Sequence, residues 1–150
     1  MSITKKTDKD EYTVIDIGLL SGLSKYKYPV PGSSNDIVGK LFLQEALGLT
    51  SAEISINSMK PGDLIPFIHK HKENEEVYFI IKGTGQILLN DEIFDINEGM
   101  AIRVSPDAER TIRNNSGNEL IFIVFQAKKS SINSKQIEDG FRIEKAPVWY

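Results

Sequence analysis

The fold is decided by a run of short segments: Glu76-Val-Tyr-Phe-Ile-Ile-Lys82, Gly83-Thr84-Gly85, Gln86-Ile-Leu-Leu89, Asn90-Asp91, Glu92-Ile-Phe-Asp-Ile96 and Asn97-Glu98-Gly99. Runs rich in aliphatic, β-branched and aromatic residues alternate with clusters of Gly, Asn and Asp, the residues that turn a chain. Each run is too short for a helix and has the length of a strand. Asn90-Asp91 between two such runs is a hairpin signal.

The same rhythm extends in both directions. Upstream lie Glu53–Met59, the turn pair Pro61-Gly62, and Phe67–His71. Downstream lie Ala101–Ser105, Pro106-Asp107, Arg110–Arg113, the polar bend Asn114–Asn118, and Glu119–Gln126. Short strands with turns at this spacing predict an all-β antiparallel sandwich or barrel over residues 51–127. No sequence unit repeats, so a propeller or solenoid is not expected.

Residues 1–50 read as an N-terminal extension with one or two strands packing on the barrel. Its first dozen residues are polar and charged and are expected to be mobile. Thr13–Leu20 carries a strand-like pattern, and Ser21–Asp36, with Pro29, Pro31 and Gly32, reads as a loop. Ile37–Leu47 suits a strand or a helical turn, with a strand expected at Lys40–Gln44. Residues 128–150 form a C-terminal tail. Lys128–Gln136 is polar, whereas Phe141, Ile143, Val148, Trp149 and Tyr150 make the end apolar. A tail with the only tryptophan is expected to dock, first on its own barrel or else on a partner subunit.

Composition narrows the function classes. The 150 residues are 40% hydrophobic and 26% charged, as in a globular protein. The net charge of -3 provides no basic surface, and no helix-turn-helix pattern accompanies the strands, so nucleic acid is not an expected partner. With no cysteine, the chain has no disulfide, thiolate ligand or cysteine nucleophile. The polar start lacks the apolar stretch of a secretory signal, and the longest apolar run, Leu120–Phe125, is far shorter than a membrane span. A cytoplasmic protein that does not enter the membrane is therefore expected.

The only two histidines, His69 and His71, stand two apart in a predicted strand, so their side chains share a face. Paired imidazoles can share one transition-metal ion. Glu75 and Glu76 both lie within reach as a third ligand, and their opposite parity lets only one face the histidines.

The run Gly62-x6-His69-x-His71-x4-Glu76-x6-Gly83 resembles the first motif of the cupin superfamily, with one extra residue between Gly62 and His69. The resemblance implies a double-stranded β-helix, or jelly-roll barrel. It also implies a divalent metal (Fe, Zn, Ni or Mn) on His69, His71 and Glu76, selecting Glu76 over Glu75. A second motif is degraded. Gly99-x6-Pro106 is again one residue long, Ala108 replaces a glycine, Thr111 stands at the third histidine, and Asn115 closes the motif. The similarity covers Glu53–Gln126, about half of the chain.

Two histidines and one carboxylate with open positions are the ligand set of many non-haem iron oxygenases. The reading that follows is a metal-dependent enzyme for a small polar or anionic metabolite, with oxygenase or isomerase/lyase chemistry. The alternative is a non-catalytic small-ligand or sensory module with weak or no metal. With Thr111 facing the pocket, alternation brings Arg113 in beside it and turns Arg110 and Ile112 outward, and Tyr78 shares the ligand face. Tyr78, Thr111 and Arg113 are thus the expected substrate-pocket residues. Val77, Phe79 and Ile81 make the opposite face of the same strand equally apolar, which predicts a cover there, either the chain's own segments or the second subunit of a homodimer.

Overall fold

The computed structural model describes residues 3–30, 36–133 and 138–149. Two sheets build the body of the molecule. The larger is formed by β5 (Lys40–Phe42), β6 (Glu53–Met59), β7 (Asn74–Lys82), β10 (Ala101–Val104) and β12 (Leu120–Lys128), in the order β10-β7-β12-β6-β5. The smaller is formed by β8 (Thr84–Leu89), β9 (Glu92–Asn97) and β11 (Arg110–Arg113), in the order β11-β8-β9. All of these pairings are antiparallel. The result is a jelly roll whose two sheets remain separate ladders rather than a closed ring.

The strands arise where the residue pattern places them, because one face of each must be buried. Tyr78 and Ile80 of β7, Phe122 and Val124 of β12, Ile87 of β8, Ile96 of β9, Val104 of β10 and Ile112 of β11 meet in one apolar core. Burying each such side chain contributes on the order of 1.5–3 kcal/mol. The β7–β8 turn depends on Gly83, at φ +86°, where a Cβ would collide with the carbonyl oxygen of Glu119. Only glycine fits both the left-handed backbone and that close approach.

The N-terminal segment is more ordered than its composition suggests. β1 (Thr4–Asp8) pairs with β2 (Thr13–Asp16), so the charged start is a hairpin arm and not a mobile tail. A 3₁₀ turn spans Leu20–Lys25 and a small hairpin joins β3 (Lys27–Pro29) to β4 (Asp36–Val38), structure within the stretch read as a loop; Pro31 and Gly32 lie outside the described residues. Ile37–Leu47 proves to be strand and helix in succession, with α1 at Gln44–Leu47. Ile15, Ile17, Leu20 and Leu23 pack with Leu41, Ile56 and Ile121 in a second core on the outer face of the larger sheet. That packing explains why β12 is apolar on both faces, with Leu120, Phe122 and Val124 in the first core and Ile121 and Ile123 against the second.

The cover does not reach β7, whose outward Phe79 and Ile81 remain exposed beside Phe125 of β12. Nor does the C-terminal tail dock on the barrel. Phe141, Ile143 and Val148 are exposed and Trp149 is 89% exposed, while Tyr150 lies outside the described residues. No helix among the described residues is long and apolar enough to cross a membrane.

Candidate metal centre

The histidines do not lie in a regular strand. The segment from Leu64 to His71 runs antiparallel to β11 and touches it through two bridges, Leu64 with Arg113 and His69 with Arg110. Five residue steps on this segment oppose three on β11, so the excess bulges out at Pro66-Phe67-Ile68. Proline has no N–H for a ladder, which favours such a break. His69 nevertheless exchanges backbone hydrogen bonds with Arg110 (3.2 and 3.1 Å), and the His71 N–H donates to the Pro106 carbonyl. The two rings therefore still point to one side, with centroids 5.6 Å apart.

Glu76 enters from β7. One donor atom from each of His69, His71 and Glu76 lies within 4.8 Å of the others. Glu75 has the opposite parity and pairs with Arg103 on the outer face at 2.7 Å. The two oxygens of the buried Glu76 carboxylate have different partners. Oε2 accepts from the Tyr78 hydroxyl at 3.0 Å and from Arg110 Nε at 3.0 Å. Oε1 lies 3.1 Å from His71 Nε2. That approach lacks hydrogen-bond geometry: His71 Nε2 and His69 Nδ1 are both buried nitrogens without a hydrogen-bond partner.

Orphaned buried nitrogens normally cost stability, and two of them in a cluster where one lies beside a carboxylate oxygen fit a cation. Burial and the neighbouring Arg110 hold the His69 pKa below the usual histidine value, so its neutral, ligating form is favoured. Burial and the Glu76 charge push the Tyr78 phenol well above its ordinary range, so it stays protonated and donates. Tyr78 thus orients the Glu76 carboxylate rather than lining an open pocket.

β11 differs from expectation. Ile112 belongs to the core, so Arg110 and Asn114 face inward with it, while Thr111 and Arg113 face away. The Thr111 hydroxyl donates to the Ile65 carbonyl at 2.8 Å, and Arg113 is exposed and donates to Gln86. Neither belongs to the histidine pocket. Arg110, by contrast, is fully buried at 0% exposure. Its Nη1 donates to the carbonyls of Ala108 (2.8 Å) and Pro106 (3.3 Å), and its Nη2 is buried without a partner.

A second motif anchored on Pro106 carries one extra residue, which displaces every later position by one. Without that residue, Arg110 takes the third-histidine position and Asn114 the closing one. Asn114 is the structural asparagine: its Nδ2 donates to the carbonyls of Met59 (2.9 Å) and Asn118 (2.7 Å). The signal was present in Arg110-Thr-Ile-Arg113, because burying its only aliphatic residue brings Arg110 in by strand alternation.

These features agree with comparisons to known proteins. A family model described as cupin domain matches residues 56–125. A cupin protein from Bacteroides fragilis is 33% identical in sequence, with a TM-score of 0.67 over 79% of this chain and 96% of that one. A predicted oxalate decarboxylase from Thermotoga maritima shares the fold at 20% identity, with a TM-score of 0.55 over 70% of this chain and 96% of that one. An uncharacterized protein of Methanocaldococcus jannaschii is 36% identical over 47 residues, 31% of this chain and 38% of that protein, so the match spans well under half the relative's length. The jelly roll, the His69–His71–Glu76 cluster and the near full-length similarity to the Bacteroides protein converge on one assignment: this chain belongs to the cupin superfamily.

Proposed function

We propose that this protein is a metal-dependent enzyme acting on a small anionic metabolite, with one divalent ion held by His69, His71 and Glu76. The observation that carries the reading is the division of labour at Glu76. Tyr78 and Arg110 occupy Oε2, which leaves Oε1 3.1 Å from the partnerless His71 Nε2, with His69 in the same cluster. Such a carboxylate is positioned before any ion arrives, as outer partners commonly do for metal ligands. A bound Fe, Zn, Ni or Mn ion would supply Lewis acidity or, for iron, an oxygen-binding centre.

Arg110 supports the anionic substrate class. A divalent ion added to one guanidinium and one carboxylate leaves the buried cluster two positive charges in excess. An anion is the natural compensation in a poorly solvated site. Arg110 also favours the second reading, a ligand-binding module with weak metal, because a fixed cation stands where other cupins place a ligand. The exposed apolar face at Phe79, Ile81 and Phe125 supports a homodimer, in which a second subunit would cover it.

Elemental analysis of untagged protein tests the first reading. About one ion per chain is expected, falling to background in His71→Ala that remains folded by circular dichroism. A folded native protein that takes up none of the four metals would leave the ligand-binding reading.

A further inference from the structure

A cavity of ≈ 380 Å³ lies beside the histidine cluster, between β5, β6, the β4 edge and the Leu64–Phe67 segment. The two are adjacent: Phe67 lines the cavity and its ring stands edge-on to His69 at 5.9 Å. Met59, Ile65 and Phe122 give the cavity apolar walls. Its volume lies at the small end for ligand sites and suits a molecule of roughly ten non-hydrogen atoms.

One cation reaches this apolar space. Lys40 follows Gly39, at φ +83°, where a Cβ would strike the Ser58 carbonyl oxygen, so the backbone entering β5 is held to one path. Lys40 pairs in register with Asn57 on the inward face and donates to Asn57 Oδ1 at 3.1 Å. Its ammonium also lies 4.8 Å from the centre of the Phe42 ring. Asn57 is itself buried and donates to the carbonyl and hydroxyl oxygens of Ser55, so it holds the lysine from a fixed position. An ammonium has three N–H donors, and among the described residues only one of them meets an acceptor. Burial depresses the lysine below its ordinary range, with Glu76 and Glu53 offsetting part of the effect, as for a charge taken out of water.

We propose that this cavity binds a small monocarboxylate with an apolar body, its carboxylate paired with Lys40 and its body against Met59, Ile65 and Phe122. Asp36 and Asp63 stand exposed at the rim and select against dianions such as phosphate esters. The arrangement deepens the metal-dependent reading by naming its substrate class, and rests on that reading for any chemistry after binding. Binding itself needs only Lys40 and the apolar walls.

Calorimetric titration of hexanoate, hexan-1-ol and inorganic phosphate, into the protein as purified and after chelation, tests the proposal. Hexanoate is expected to bind at least tenfold more tightly than hexan-1-ol in both forms, with phosphate failing to compete. Lys40→Met, or Lys40→Gln where the first does not fold, should reduce hexanoate to the level of the alcohol. Val38→Trp, which narrows the cavity and keeps the lysine, should weaken both ligands. Equal binding of acid and alcohol by the native protein, a preference that survives loss of Lys40, displacement by phosphate, or no binding at all would each overturn the proposal. Metal content measured on the same samples separates the two readings. Lys40-dependent binding by protein that takes up no metal would defeat the enzyme reading alone. A full metal complement without hexanoate binding would defeat only the monocarboxylate.

Discussion

Strands β7 and β11 meet at the same point inside the barrel and bring opposite chemistry to it. From β7 come the Glu76 carboxylate and the Tyr78 hydroxyl that orients it. From β11 comes Arg110, a guanidinium with no exposed surface. The first side is arranged to receive a cation, and the second already provides one. A lone buried carboxylate would be strongly unfavourable, and here Arg110 compensates Glu76 whether or not an ion is bound. Any ion the site holds would therefore be an addition to a pair that is already neutral.

The most severe way to break this balance is Arg110→Ala. It strands Glu76 in the interior and removes the side-chain donor to the Ala108 carbonyl and one of the two donors to the Pro106 carbonyl. A loss of about 3–5 kcal/mol is expected from urea denaturation of the chelated protein. A loss below about 1 kcal/mol would mean that the pair does not anchor the site.

Arg110→His sharpens the comparison by making both sides ligating. The imidazole would replace a repelling charge with a fourth donor, and metal affinity should rise at least tenfold, a change of about 1.4 kcal/mol. Competition with a chromophoric chelator measures it, and unchanged affinity would show that Arg110 does not limit metal binding. Tyr78→Phe probes the β7 side alone. It removes one hydrogen bond to a charged acceptor, so a loss of about 1.5 kcal/mol is expected in the same denaturation assay. A neutral substitution would assign the orientation of Glu76 to Arg110 by itself.

Much of the architecture was legible in the residues. β6 and β11 occupy the spans read from their patterns, and β7, β8, β9, β10 and β12 differ from theirs by one or two residues at their ends. These strands are local consequences of apolar runs between turn formers. β2 lies within the strand-like Thr13–Leu20 pattern, but its partner β1 was not legible, because Thr4–Asp8 has no apolar alternation and pairs through its backbone. The bulge at Pro66-Phe67-Ile68 is not legible either, for a related reason: only the bridges to β11 define it. The tail does not dock on its own barrel, the first of its two expected places, because an apolar composition indicates that a segment can dock without indicating where.

By itself, the sequence determined the antiparallel β architecture and the trio His69, His71 and Glu76, since alternation and motif spacing are properties of neighbouring residues. Only the tertiary structure decided which residues complete the site. Parity on β11 depends on where that strand registers against β8 and the histidine segment, and a shift of one residue exchanges every side chain between the two faces. That single step moved Thr111 and Arg113 out of the pocket and put Arg110 against Glu76. It put a buried charge where Thr111 was expected.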